Sequence, residues 1–478
     1  MNKSNIVITN LIWRFLERCG AQAVTFIVSI VLARILNPDM YGTVALVTVF
    51  TTIMQVFVDS GMGNALIQKK DADDLDFSSV FYFNMLMCSI LYLIMFISAP
   101  LIAAFYNKPE LVSIVRVLSL ILIISGIKNI QQAYVSKNML FKNFFFATLS
   151  GTIVAAIVGI TMACLGFGVW AIVAQMLINA TIDTLVLWIT VKWRPKKMFS
   201  LNRLKGLFSF GWKLLVSALI DTVYNDLRQL IIGKLYSSDD LAQYNQGKKF
   251  PQFIVTNINT SIDSVLLPTM SKVQNNTVAV KAMTQRAIKT SSYIMMPFMV
   301  GLAVCADSII RLVLTEKWLP CVPFLRVFCF TFAFYPIHTA NLNAIKAMGR
   351  SDLFLKLEII KKSVGLIFVL STMWISVEVM AYSLLLTSVL SQIINSWPNK
   401  KLMSYSYLEQ FKDILPQILL SLLMGAIVYC LQFIGLNDTL TLLIQIPLGV
   451  MVYVVGSKLF HIDSFEYLLS TMKSLLKK

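Results

Sequence analysis

The chain is a succession of apolar runs, most of them twenty residues or longer, separated by short polar breaks. A helix needs about 20 mostly apolar residues to cross the hydrocarbon of a bilayer. Inside lipid the backbone must satisfy its own hydrogen bonds, so repeated runs of this length imply membrane-spanning helices. The pattern predicts spans at 11–36, 42–66, 79–104, 111–135, 146–167 and 169–191. After a basic stretch come 207–235, 247–270, 287–314, 321–346, 355–376 and 378–398, and after a second basic stretch 414–435 and 439–460. The expected fold is therefore all-α and integral to the membrane, with about fourteen helices. Composition agrees: 57% of residues are hydrophobic and 14% charged, against about 45–50% and 25% in soluble domains. The first run carries Arg14, Glu17 and Arg18 with no small-residue cleavage site after it, so it reads as a retained helix and not a signal peptide.

The net charge of +17 would suggest nucleic acid in a soluble chain. Here the basic residues alternate by loop. One side receives Lys3, Lys69, Lys70, Lys137, Lys142, the group from Lys192 to Lys205, Lys272, Lys281, Arg286, Lys346, Arg350, Lys356, Lys400, Lys401, Lys412 and the terminal lysines. The other side has little beyond Lys108, Lys234 and Lys317, with Lys248 and Lys249 as further candidates. The positive-inside rule makes the first side cytoplasmic, with both termini inside and no nucleic-acid partner implied. The outer loops are short, which leaves no room for an external catalytic domain. The dense acidic run from Asp71 to Asp76 falls on the cytoplasmic side and reads as a solvated loop. The seven cysteines sit in or beside apolar runs without any CxxC, and there are two histidines, His338 and His461. Neither a disulfide framework, nor a metal centre, nor a cofactor is expected.

The basic stretches, 192–206 and 400–413, divide the chain into an N-terminal six-helix lobe (1–191), a second six-helix lobe (207–399), two further spans (414–460) and a tail (461–478). The two lobes resemble each other. Tyr41, Phe50, Ile67 and Lys69 align with Tyr244, Phe253, Met270 and Lys272, and Arg116 matches Arg326. Six spans per lobe give parallel repeats, a transporter architecture with a substrate path expected between the halves.

A charge at the bilayer centre costs about 2.5–3.5 kcal/mol on insertion scales, so it should face a cavity or a partner. Polar residues fall at helical spacing. The first span carries Arg14, Arg18, Gln22, Thr25 and Ser29, with Glu17 within reach of Arg14. The second carries Thr48, Thr52, Gln55 and Asp59, and the fourth Ser125, Lys128 or Asn129, Gln132 and Ser136. The seventh has Lys213, Ser217, Asp221, Asn225 and Arg228; the eighth has Thr256, Asn259 or Thr260, and Asp263; the tenth has His338, Asn341 and Lys346. The third, fifth, sixth, eleventh and twelfth spans read as mostly apolar. Polar lining thus comes from corresponding helices of each lobe. The competing reading is snorkelling at helix ends for Arg14, Arg18, Lys213 and Lys361, and helix–helix hydrogen bonding for the mid-membrane residues. His338 reads as a satisfied packing residue.

Several segments carry a further likeness: Trp13-Arg14 with Glu17 and Gln22, Leu32-Ala33-Arg34-Ile35-Leu36 with Pro38 and Tyr41-Gly42, and Asp59-Ser60-Gly61 with Ala65-Leu66-Ile67. Ala99-Pro100 with Ala103 and Phe105-Tyr106, Gly168-Val169-Trp170-Ala171, Phe210-Gly211 and Lys346-Ala347-Met348-Gly349-Arg350 continue the series over roughly residues 1–400. In these the chain resembles the polysaccharide transporters of the multidrug/oligosaccharidyl-lipid/polysaccharide exporter superfamily, the Wzx-type repeat-unit flippases. The resemblance implies two six-helix lobes in a V and alternating access. It implies export of undecaprenyl-diphosphate-linked oligosaccharides across a bacterial cytoplasmic membrane for capsule, exopolysaccharide or O-antigen synthesis. Its partners would be the lipid-linked substrate, membrane lipids, and a glycan polymerase and glycosyltransferases of the same pathway; it would not be an enzyme. Such proteins keep cations in the lumen for the anionic headgroup. Here Arg14, Arg18, Gln22, Gln55, Lys128, Lys213, Asn225 and Arg228 are the expected substrate contacts, and Glu17, Asp59, Asp221 and Asp263 the expected ion-coupling residues. Related peptidoglycan-precursor flippases have fourteen spans, the last two framing a lipid-tail groove, a part open to 414–435 and 439–460. The alternative within the superfamily is a cation-coupled multidrug antiporter, which would want fewer fixed cations.

Overall fold

The computed structural model describes residues 3–59, 62–69 and 71–476, and along parts of some helices the backbone alone. The described residues form nineteen α-helices and two short 3-10 turns, with no strand. Cα proximity groups the chain into two compact units, Met1–Ala242 and Gln243–Lys478. The first contains α1 (Lys3–Ile35), α2 (Pro38–Asp59), α3 (Met62–Gln68), α4 (Asp74–Tyr106), α5 (Leu111–Leu118), α6 (Leu120–Lys137), α7 (Phe141–Cys164), α8 (Val169–Thr190) and α9 (Leu201–Leu235). The boundary falls inside α10 (Ser238–Ser271). The second unit continues with α11 (Thr277–Val304), α12 (Ala306–Val313), α13 (Val322–Ala333), α14 (Tyr335–Ala347), α15 (Ser351–Thr372), α16 (Val377–Met403), α17 (Tyr407–Cys430), α18 (Asp438–Leu459) and α19 (Asp463–Leu476).

Among the described residues, ten stretches are long and apolar enough to cross a membrane: 38–59, 74–106, 111–137, 141–164, 169–190, 277–304, 316–347, 377–403, 407–434 and 438–459. The other four expected spans fall on the helices α1, α9, α10 and α15, with 33, 35, 34 and 22 residues. Within α1 the stretch Gly20–Ile35 is apolar, while α10 and α15 are diluted by polar and charged residues. Three of the four, α1, α9 and α10, are helices whose sequences carry the polar stripes. The second basic stretch is mostly helical, because α16 runs on to Met403 and α17 begins at Tyr407.

Local chemistry sets the helix ends. Asp73 starts α4 with a capping box: its carboxylate accepts the Asp76 N–H at 3.0 Å, and the Asp76 carboxylate accepts the Asp73 N–H at 3.2 Å. Asn107 ends the same helix in the left-handed region, at φ 55°. Close packing follows small residues. Gly151, Ala155 and Gly159 repeat every four residues along α7, and a Cβ at Gly151 or Gly159 would lie 2.9 Å from the Asn179 carbonyl oxygen or Gln175 Cβ of α8. With no hydrophobic force between helices in lipid, such close approach is what holds two of them together.

The acidic run is no solvated loop. Asp76 is fully buried, with Lys69 at 2.5 Å and Arg203 at 3.5 Å. Asp74 pairs with Lys196 at 2.5 Å and accepts the Trp193 indole N–H at 3.0 Å. The Ser78 and Ser79 hydroxyls accept the backbone N–H groups of Lys196 and Ser200, at 3.0 and 2.9 Å. Gln131 donates to the Trp193 carbonyl at 3.0 Å, and Tyr134 stacks on the Trp193 ring. The first basic stretch is thereby clamped to the start of α4. The sequence reading missed this because each charge has its counter-charge some 120 residues away or across a turn.

The clamp should respond to acid. The Asp76 N–H that Asp73 accepts holds the Asp73 carboxyl below its usual range, against desolvation and with help from Arg203 and Lys69. A depressed carboxyl stabilises above its unfolded value of about 3.9, and that stability is lost as pH falls through the folded value. Hydrogen exchange over 192–206, corrected for intrinsic rate, should therefore accelerate once pH drops below about 4. Equal protection on both sides of that range would rule the clamp out as a source of stability.

Candidate functional site

Three charged groups of the first unit, Asp59, Lys128 and Asp183, come together where α2, α6 and α8 meet. Lys128 of α6 places its Nζ 2.5 Å from Asp183 Oδ2 of α8. One residue on, Asn129 donates to the Val58 carbonyl at 2.9 Å and to Asp59 Oδ1 at 3.4 Å. Gln55, one turn before Asp59 on α2, donates to the same carboxylate oxygen at 3.4 Å. Lys128 is also within Coulombic reach of Asp59. The result is one ammonium between two carboxylates, with an amide on either flank of Asp59. Gln22 is half-buried on α1.

Of the expected contacts, Gln55, Asp59 and Lys128 are brought together. Lys128 is no uncommitted cation, since Asp183 holds it. Asp183 was missed because the sixth span was read as mostly apolar. The signal was there: it is the one charged residue in α8, 14 positions into a helix of 22. Asn84, in a third span also read as mostly apolar, donates to the Gly126 carbonyl at 3.3 Å, where a Cβ would strike Cys88.

On α9, Asn225 donates to Asp221 at 3.2 Å. Three residues on, the Arg228 guanidinium has Nε and Nη2 buried without a hydrogen-bond partner among the described residues. A charged donor left unsatisfied in this way is costly and marks a site for an acceptor. The side chains of Arg14, Glu17, Arg18 and Lys213 lie outside the described residues.

In the second unit, Asp263 of α10 accepts from Asn343 of α14 at 2.6 Å. The second and fourth expected spans thus share an Asp–Asn contact, Asp59–Asn129, as do the eighth and tenth, Asp263–Asn343. Arg116 and Arg326 make a second matching pair. Each donates its Nε to a carbonyl of the preceding long helix, Phe96 at 3.5 Å and Ala303 at 3.2 Å. Arg326 adds an ion pair with Asp307 at 2.5 Å.

The tenth-span stripe turns mostly to helix packing. Asn341 exchanges hydrogen bonds with Gln410 at 2.8 and 3.1 Å and accepts from Asn399 at 2.6 Å, tying α14 to α16 and α17. His338 Nδ1 is 2.9 Å from the Asn395 amide nitrogen, as expected of a packing residue. The last two long helices join the same body: Tyr453 donates to the Tyr293 carbonyl at 2.8 Å, and Tyr293 bonds Ser457 at 2.8 Å.

These groups lie in a fold of long helices, and the described residues hold no cluster of His, Cys, Asp or Glu fit for a metal. The fold is that of the lipid II flippase MurJ in an inward closed conformation, with TM-score 0.78 over 95% of this chain and 99% of that one at 17% identity. An inward-facing multidrug resistance MATE family transporter of the MOP superfamily gives 0.61 over 80% and 94% at 14% identity. Residues 31–323 match the family model described as polysaccharide biosynthesis protein, and the chain belongs to that family. It is 25% identical over 415 residues to the teichuronic acid biosynthesis protein TuaB of Bacillus subtilis (strain 168), covering 84% of this chain and 85% of the relative. It is 22% identical over 337 residues to the lipopolysaccharide biosynthesis protein WzxC of Escherichia coli (strain K12), covering 69% and 68%. It is thus a multi-pass membrane transporter of polysaccharide biosynthesis, with bacterial homologues, and not an enzyme.

Proposed function

We propose that the protein moves undecaprenyl-diphosphate-linked oligosaccharide repeat units from the cytoplasmic to the outer leaflet by alternating access, with fourteen spans and both termini cytoplasmic. The two six-helix lobes would be 1–191 and 207–399. α1, α9, α10 and α15 complete the count, since even a 22-residue helix extends roughly 33 Å, enough for a hydrocarbon core of about 30 Å. The observation that carries the reading is Arg228. A polysaccharide biosynthesis family with a buried, unsatisfied guanidinium on a polar long helix suits a diphosphate headgroup, because guanidinium binds phosphate oxygens through paired hydrogen bonds. Gln22, Gln55, Lys128, Lys213 and Asn225, with Arg14 and Arg18 near the cytoplasmic end of α1, would line the headgroup's path. Glu17, Asp59, Asp221 and Asp263 are the candidate coupling groups. The isoprenoid tail can remain in lipid. Outward movement of an anion is favoured by about 2.3 kcal/mol per charge per 100 mV of inside-negative potential.

The test is reconstitution in proteoliposomes with a fluorescent undecaprenyl-diphosphate oligosaccharide in both leaflets. Exposure of the inner pool to an external glycan-modifying enzyme should accelerate with wild type. It should fall at least tenfold with Arg228→Gln and with Arg14→Ala/Arg18→Ala. Flipping at wild-type rate in both variants would place the headgroup elsewhere. No protein-dependent flipping would point to a cation-coupled antiporter instead.

A further inference from the structure

We infer that Asp183 is the intrinsic competitor of the substrate anion for Lys128, and that it takes up one proton when the anion replaces it. This rests on the flippase reading and assigns that site a residue and a second ligand, H⁺.

The geometry is specific. Asp183 is 6% exposed, and one oxygen is committed to Lys128 while the other, Oδ1, is buried with no hydrogen-bond partner among the described residues. Gly151 of α7 seats it, for a Cβ there would lie 3.1 Å from Asp183 Cβ. The wetter partner is Lys128, with a side chain 21% exposed against 9% for Asp183, so an incoming anion meets the ammonium first. The groups around Asp183 are few. α6 brings Lys128, while its Tyr134 is stacked on Trp193 and its Lys137 donates to the Leu66 and Lys69 carbonyls. α2 brings Asp59, with Asp39 and Tyr41 at its far end. α7 has only Lys142 and Cys164, at its two ends, and the Arg116 of α5 is turned onto the Phe96 ring.

If a phosphate oxygen takes Lys128, Asp183 becomes a buried carboxylate with no counter-ion and with Asp59 nearby. Such a group neutralises rather than remain charged. An O–H bond forms on the carboxylate, the proton comes from water, and Lys128 keeps its own protons. Anion and proton then bind with positive, reciprocal coupling, so the loaded protein carries both and the empty one returns as a closed ion pair.

The test uses the purified full chain in detergent with undecaprenyl diphosphate as probe. Calorimetry in two buffers of different ionisation enthalpy gives protons taken up on binding. Wild type, Asp183→Asn and the charge-neutral double variant Lys128→Gln/Asp183→Asn are compared, so that the lipid's own titration cancels. Wild type should take up about one more proton than either variant. Its affinity relative to Asp183→Asn should strengthen by up to tenfold for each pH unit lowered. Equal uptake in wild type and in whichever variant folds overturns the inference and leaves the flippase standing. Absence of undecaprenyl diphosphate binding by wild type overturns the flippase reading, and this inference with it.

Discussion

Lys128→Ala is expected to be the most destabilising single change in the first unit, by about 3–5 kcal/mol, the range for breaking a buried ion pair from one side. The cause is less the lost attraction than what remains: Asp183 at 6% exposure, its Oδ1 already without a partner, now with no counter-charge. In detergent this should appear as a large fall in melting temperature. Removing the pair together, as in Lys128→Met/Asp183→Leu, should return most of the loss, since a well-packed apolar replacement of a buried pair is often neutral or better. A single variant as stable as wild type would show that water already reaches the carboxylate and that the pair is not buried in the sense used here. Transport and stability should also separate: the double variant folds but no longer offers an ammonium to a phosphate.

The second large effect is expected at Gly42. A Cβ on this residue would fall on the main-chain carbonyl of Ser238, at the start of α10. The same few residues are bound tightly on the other side, where Lys108 bridges Asp39 at 3.1 Å and Ser238 Oγ at 2.7 Å. Because the obstacle is backbone and not a flexible side chain, no rotamer change relieves it. Overpacking costs about 1–3 kcal/mol, occasionally more, and Gly42→Ala should reach or exceed that range. Gly206→Ala is the control, with nothing within 4 Å of its would-be Cβ. It should be neutral or stabilising, because alanine outranks glycine in a helix by up to about 1 kcal/mol. Equal melting temperatures for the two variants would contradict the close contact.

The long apolar runs made the helical membrane fold legible, since length and hydropathy alone decide where a helix can cross. They did so least clearly for α1, α9, α10 and α15, where polar residues dilute the signal. The site was legible as stripes and not as pairs. Gln55, Asp59 and Lys128 stood out because helical periodicity is local, and each stripe repeats within one helix. Asp183 and the Asp73–Asp76 clamp did not, because most of their partners lie 55 to 130 residues away and nothing in a local pattern ranks one distant counter-ion over another. Asn341 shows the reverse error. Its spacing fitted a lumen stripe, yet amides at that spacing equally suit a neighbouring helix, and the polar residues of α16 and α17 decide between the two.

The clamp on the first basic stretch has a practical consequence for anyone placing a reporter in this molecule. By charge and position, 192–206 looks like an ideal cytoplasmic insertion point for a fluorescent protein or a protease site. The backbone N–H groups of Lys196 and Ser200, the Trp193 indole and the Lys196 and Arg203 side chains are in use against the start of α4, so an insert there would sever them. The turn at 272–276 between α10 and α11 is almost wholly exposed and is closed by its own short hydrogen bonds. An insert there leaves those contacts untouched, which makes it the better place to attach a probe.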